Sequence, residues 1–189
     1  MPVQPKPLLT PEQYLEIERK AETKSEFYKG EMFGLPGAHF AHSQLVWKLI
    51  ALLDGQLRPP CVGAPSNMRV RIASTGLYTY PDVVVVCGEL QFADPHVDTL
   101  LNPNLIFEVL SPSTEAYDRG KKFEHYSSIP SLNTYVLIAS DRVHVDVYVR
   151  QTDDKWLRSS ANSLEETVPL TSVGCQLPLA ELYANVHLS

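Results

Sequence analysis

Apolar positions recur along the chain with two periods, and the switches between them mark out the elements. Tyr14, Ile17 and Ala21 stand at helical spacing behind Thr10-Pro11-Glu12-Gln13. A threonine that can cap, a proline suited to the first helical position and a glutamine that can close a capping box predict a short helix to about Glu22. Pro2, Pro5 and Pro7 make the residues before it an extended lead-in. Between Glu26 and Gly34, aromatic segments flank Gly30, a residue free to take positive φ, which predicts a β-hairpin. Leu45, Val46, Leu49, Leu52 and Leu53 share one stripe. They predict an amphipathic helix from about Phe40 to Gln56, ended by Pro59-Pro60.

Period two then takes over. Met68, Val70 and Ile72 alternate with Asn67, Arg69 and Arg71, as in a half-buried strand. Val83 to Cys87 is a β-branched run expected of a central strand covered on both faces. Gly88 to Pro103 reads as an exposed loop, and Leu105 to Leu110 as a third strand, apolar except at Glu108. Ser111-Pro112-Ser113-Thr114 breaks it and offers caps for a helix from about Glu115 to Ser127. Asn133 to Ile138 and Arg142 to Arg150 form a hairpin across Ser140-Asp141, with His144, Asp146 and Tyr148 on its outward face. Short strands near Trp156 and Val168 and a helical turn from Ala180 to Tyr183 complete the chain. No repeat or composition break divides it, so one domain over residues 1–189 is expected. The central order is helix, three strands, helix, strand, an α/β or α+β architecture with a mixed sheet flanked by helices.

At 189 residues, with 44% hydrophobic and 20% charged positions, the chain is long enough for a core without staples. No apolar run approaches the ~20 residues needed to cross a bilayer, and the N-terminus lacks a signal-peptide core. Three scattered cysteines, Cys61, Cys87 and Cys175, without CxxC spacing, argue against zinc or a disulfide framework and point to a reducing cytoplasm. Sixteen Lys and Arg against 22 acidic residues give a net charge of −6. That excludes a broadly basic nucleic-acid-binding surface, so such a partner would need a local patch, a metal or another protein.

Candidate chemistry sits at few positions. Asp82 stands at the mouth of the valine strand and Glu108 inside an apolar one, where an unpaired charge costs several kcal/mol. If the strands are neighbours, the two carboxylates can share one divalent ion, the alternative being a structural ion pair or, for Asp82, a turn residue. Arg119, Lys122 and Tyr126 lie at i, i+3 and i+7 on the following helix, and either cation could reach that site, or the face could be solvated. Spacing alone does not choose between Lys121 and Lys122. His42 falls on the apolar stripe of its helix, more often a core position than a ligand, and Glu26 and Glu31 beside a hairpin turn are ordinarily exposed. His144 and Asp146, a possible dyad, read as surface. Phosphate-loop, dinucleotide and nucleophile-elbow motifs are absent from the sequence.

Taken together, Glu26-Phe-Tyr-Lys-Gly-Glu31, His42, Tyr80-Pro81-Asp82-Val83-Val84-Val85, Pro103 to Thr114 (with Glu108-Val-Leu-Ser) and Asp118-Arg119-Gly-Lys-Lys122-Phe-Glu-His-Tyr126 resemble the Uma2 family (DUF820) of the PD-(D/E)XK nuclease superfamily. The resemblance runs from Thr10 to about Tyr183. It implies a restriction-endonuclease-like core with an N-terminal helix and hairpin and a C-terminal β extension. It also implies a metal-dependent endonuclease acting on nucleic acid, namely DNA, as a cytoplasmic homodimer without membrane association. Asp82 and Glu108 would hold Mg²⁺ or Mn²⁺, joined by the Val109 carbonyl. Leu110 occupies the superfamily's usual lysine position, two after the Glu, and register with Tyr126 points to Lys122 as the replacement. Glu26, His42, Arg119 and Tyr126 would line the site, and Arg69 and Arg71 would either contact the backbone or stand as solvated edge residues. The family's Gly-Val-x-Glu-Tyr-Trp segment is reduced here to Tyr135. A catalytically degenerate relative that binds nucleic acid or protein is the alternative, and hydrolysis of another phosphorylated or glycosidic substrate a weaker one.

Overall fold

The computed structural model describes residues 8–188. Helix α1 (Pro11–Glu18) opens on the expected capping box, in which the Gln13 N–H donates to Thr10 Oγ1 and the Thr10 N–H to Gln13 Oε1. Strands β1 (Ser25–Tyr28) and β2 (Glu31–Gly34) follow as the expected hairpin. Lys29 and Gly30 both take positive φ, 51° and 88°, as the tight turn between twisted strands requires. A Cβ at Gly30 would also meet the Leu8 side chain at 2.7 Å.

A six-stranded mixed sheet forms the centre, in the order β11 (Trp156–Ala161), β10 (Val145–Arg150), β9 (Thr134–Ala139), β8 (Leu105–Leu110), β6 (Val83–Cys87) and β3 (Cys61–Pro65). Its middle strands are β6, β8 and β9. β6 and β8 are antiparallel, and β8 and β9 are parallel. β8 and β9 are buried on both faces along their length, and β6 along all but its last residue, the burial that continuous apolar runs call for. One face carries Val83, Val85, Leu105 and Phe107 against the Leu45, Leu49 and Leu53 stripe of α2 (Phe40–Asp54). A C-terminal hairpin, β12 (Thr167–Leu170) with β13 (Cys175–Pro178), and the short α5 (Leu179–Leu182) complete that layer. The other face carries Val84, Val86, Ile106 and Leu110. It packs on the 115–127 helix and on a second, five-stranded sheet that runs from β2 and β1 through β5 (Leu77–Thr79) and β4 (Arg69–Ile72) to β7 (Thr99–Leu100). The mixed α+β architecture is therefore as expected, with a second sheet added from strands between Ser25 and Leu100.

Several local expectations change. Gly88 to Pro103 is not wholly an exposed loop, because Thr99–Leu100 form β7, buried and parallel to β4. That strand, with β5 on the other side, encloses Arg69, which is buried rather than solvated. Its guanidinium donates to Thr99 Oγ1 at 3.0 Å and Tyr80 Oη at 2.6 Å and pairs with Asp98, while Arg71 stacks on Tyr78. Arg69 is thus unavailable for a phosphate backbone. The cysteine expectation is overturned too. β3 (Cys61–Pro65) is antiparallel to β6 with Cys61 opposite Cys87, and the two form a disulfide, leaving Cys175 as a buried thiol. Asp146, on β10 (Val145–Arg150), is fully buried rather than surface. Its carboxylate accepts from Arg119, from Arg158 and Ser160 on β11 (Trp156–Ala161), and from the His144 ring at 3.1 Å. No helix among the described residues is long and apolar enough to cross a membrane.

Candidate functional site

Glu108 shares a face of β8 with Ile106 and Leu110, so strand alternation alone forces a carboxylate into the layer beneath the 115–127 helix. It is only 4% exposed and its Oε1 is fully engaged, accepting from the Tyr126 hydroxyl at 2.7 Å and from Lys122 Nζ at 2.9 Å. Asp82 arrives from the start of β6. The β6–β8 pairing ends at Val83 opposite Phe107, which leaves the next N–H on that edge of β8, that of Val109, without a strand partner. Asp82 Oδ2 accepts it at 2.7 Å. In an extended strand the N–H and C=O of one residue point to the same edge, so the Val109 carbonyl faces the same gap. His42, in the first turn of α2, brings Nε2 to 3.1 Å from Asp82 Oδ2. An ionised carboxylate only accepts, so Nε2 carries the proton and the buried Nδ1 is left without a partner.

The helix over the site is not a uniform α-helix. It runs as α3 (Glu115–Tyr117), a π turn at Asp118–Lys122 and α4 (Phe123–Ser127). The wider turn puts Asp118 and Lys122 on the pocket side together and swings Arg119 out of it. Lys122 is 6% exposed, its amine 2.9 Å from Glu108, 3.3 Å from Asp118 and 3.5 Å from Glu26. Burial opposes the charge on Lys122, but the three carboxylates outweigh it and hold the amine well above its ordinary range. Burial also pushes Glu108 up to about 8, against the pull of Lys122 and with Asp118 and Asp82 adding to the rise. Asp118 is raised chiefly by burial. Glu26, on β1, completes the floor: its Oε1 accepts from Thr79 and its Oε2 from the Tyr117 hydroxyl at 3.2 Å. These groups open into a pocket of about 480 Å³ whose rim includes Phe33, His39, Ser111 and Ser113.

Asp82, Glu108, Val109, Lys122, Glu26 and His42 thus line one pocket, and Tyr126 sits buried behind Glu108. Arg119 does not join them. It turns to Asp146 and to Glu115 at 2.8 Å, away from the carboxylate pair. Lys121 is exposed, so of the two lysines only Lys122 reaches the site. Glu26 is buried, contrary to what a hairpin-turn glutamate ordinarily does. Asp118, Tyr117 and Thr79 were not anticipated from the sequence. Asp118 left a trace, standing four residues before Lys122, whereas Thr79 and Tyr117 become neighbours of Glu26 only through the sheet and helix packing.

The donor set fits a hard divalent cation. Asp82 Oδ1 and Glu108 Oε2 accept no hydrogen bond from the described residues, so each carboxylate keeps one oxygen free. Mg²⁺ commonly takes one or two carboxylates and completes its shell with water and phosphate. Among the described residues no group of three or more His, Cys, Asp or Glu forms a ready cage. A cation here would therefore draw the rest of its shell from the Val109 carbonyl, water and substrate.

Comparison with known proteins converges on one group. The family model described as "Uma2: Putative restriction endonuclease" matches residues 11–180. The uncharacterized protein slr1290 of Synechocystis sp. is 35% identical over 186 residues, covering 96% of this chain and 95% of its own. A second protein of that organism, uncharacterized protein sll1609, is 38% identical over 151 residues, 79% of this chain and 85% of its own. The crystal structure of a "putative nuclease belonging to DUF820" from Anabaena variabilis superposes with a TM-score of 0.74 over 92% of this chain and 96% of that one. At 19% identity that likeness establishes the fold.

Proposed function

The chain belongs to the Uma2 family, and from that premise we propose that it is a metal-dependent phosphodiester hydrolase acting on nucleic acid, with DNA as its substrate. The observation that carries the reading is the buried Lys122 amine set among Glu108, Asp118 and Glu26 in the pocket that Asp82 also lines. Glu108 and Asp82 are assigned the cation, Mg²⁺ or Mn²⁺, with Val109 offering its carbonyl. When bound, such a cation lowers the pKa of a coordinated water and neutralises charge on the phosphate.

The chain's own residues divide the remaining work. Lys122 keeps its proton, so it serves as a positive donor that orients the attacking water or meets the developing phosphate charge, not as a base. Tyr126 fixes the orientation of Glu108 by donating to Oε1, which turns Oε2 toward the pocket. His42 and the Val109 N–H hold Asp82 Oδ2 in the same way and leave Oδ1 for the cation. A cation at the scissile phosphate also answers the net charge of −6, since it supplies positive charge that the surface lacks.

The test is cleavage of supercoiled plasmid with Mg²⁺ and with Mn²⁺, EDTA as control. The wild type is expected to nick or linearise the plasmid, and the near-isosteric Asp82→Asn and Glu108→Gln variants to lose at least 100-fold in rate while remaining folded by circular dichroism. No cutting with either metal, or cutting that survives both substitutions, would replace the hydrolase with a non-catalytic binding module.

A further inference from the structure

The pocket is walled asymmetrically, and the asymmetry bears on which form of nucleic acid enters it. Phe33 is the direct cross-strand partner of Glu26, so the two side chains leave the β1–β2 hairpin on the same face. Tyr117 approaches Glu26 from the opposite element, its hydroxyl donating to Oε2 at 3.2 Å. Both rings line the pocket and both remain half-open to solvent, Phe33 at 48% and Tyr117 at 38% exposure. Leu35, Pro36 and Ala38 extend the apolar wall from Phe33, whereas Ser111 and Ser113 place hydroxyls 3.0 Å apart on the rim beyond Glu108. One wall therefore suits the face of a ring, the other a sugar and phosphate, and the charged floor lies between them.

Electrostatics points the same way. The floor holds Glu26, Asp82, Glu108 and Asp118, and of the two arginines that the sequence offers to a backbone, Arg69 is buried in its own network and Arg71 stacks on Tyr78. The pocket lining offers Lys24 and the ion-paired Lys122 as its lysines, so charged contacts to a backbone are few, and aromatic stacking on bases, worth about 1–3 kcal/mol each, adds to them. Bases in a duplex are already stacked on each other, and drawing one out costs a few kcal/mol. Resting on the hydrolase reading above, we propose that the pocket takes an unstacked nucleotide between Phe33 and Tyr117, so that the substrate is single-stranded or locally melted nucleic acid.

The experiment measures fluorescence-anisotropy binding of a 12-nucleotide single strand and of the blunt duplex of the same sequence, in EDTA, alongside cleavage of both in Mn²⁺. The single strand is expected to bind at least tenfold more tightly. Phe33→Ala should weaken single-strand binding by about tenfold, within the range that one stacked base supplies. Leu157→Ala, which trims another exposed apolar side chain on β11, should leave it unchanged. Equal affinity for the two forms, with Phe33→Ala behaving as wild type while the duplex is cut, overturns the stacking site and leaves the hydrolase standing. Failure to bind or cut either form overturns both.

Discussion

At the scale of single residues, the site is a balance of buried charge that one substitution unsettles. Lys122 faces three carboxylates with almost no solvent to share the load. Lys122→Met keeps the length of the side chain but strands Glu108, Asp118 and Glu26 without a cation. We expect a loss of about 3–5 kcal/mol in urea unfolding, the usual cost of breaking a buried pair from one side. Adding Glu108→Gln to that variant should restore part of the loss, and a double mutant no more stable than Lys122→Met would contradict the pairing. Tyr126→Phe removes a single donor to Glu108 and should cost about 1.5–3 kcal/mol. Much of this was legible in the sequence, because a lone Glu in an apolar strand has to meet a cation or a donor. The chain pattern could not show that Asp82 would cap a strand N–H, since that depends on where the β6–β8 pairing stops.

Elements carry information that residue spacing does not. An ideal helix places Arg119, Lys122 and Tyr126 on one face, and that periodicity underlies the expectation that both cations approach the carboxylates. The π turn at Asp118–Lys122 breaks the period, sending Arg119 to Asp146 while Lys122 and Tyr126 stay on Glu108. Tyr135, the aromatic left from the family's longer motif, supports that turn by donating its hydroxyl to the Asp118 carbonyl at 3.1 Å. Gly120, around which a Cβ would meet nothing within 4 Å, is the residue to remove. Its deletion removes the extra residue of the π turn and lets the segment close as a regular α-helix, so the widened turn that sets Asp118 and Lys122 and diverts Arg119 is lost. The deletion variant should retain helical circular dichroism and lose plasmid cleavage, and wild-type cutting would show the π turn to be dispensable. Arg119, diverted from the pocket, instead ties the helix to the sheet through Asp146. Burial opposes ionisation of Asp146, but Ser160, Arg119 and Arg158 outweigh it and hold the carboxyl well below its usual range. A depressed carboxylate stabilises the fold above its unfolded pKa, near 3.8, and that contribution drains away as pH falls below it. Asp146→Asn should therefore cost about 3 kcal/mol at pH 7, with the gap to wild type narrowing progressively below pH 4. A gap independent of pH would remove the ion-pair explanation.

The described residues form two large sheets, a two-stranded C-terminal hairpin and their helices, and the features hardest to read from the sequence are those set by which strands end up adjacent. The buried Arg69 and the Cys61–Cys87 bond both follow from sheet order: β7 closes over one, and β3 aligns register with β6 for the other. Cysteine counting sees an odd number without CxxC spacing, because a separation of 26 residues says nothing about a shared antiparallel ladder. The bond nevertheless has a global consequence. β3 is an edge strand with β6 as its sole neighbour in the sheet, so its attachment rests on one ladder and one covalent link. Closing a loop of this length restricts the unfolded chain by about 3 kcal/mol. For a protein of this size that corresponds to a fall in Tm of roughly 6–12 °C on reduction. The bond lies at the end of β6 remote from Asp82, which directly precedes Val83, so cleavage at 25 °C should persist after reduction even as Tm drops. Alkylation of the denatured, unreduced protein should modify Cys175 alone, and prior reduction should expose three thiols. Three adducts without reductant would remove the bond from the native molecule, and with it the predicted separation of stability from activity.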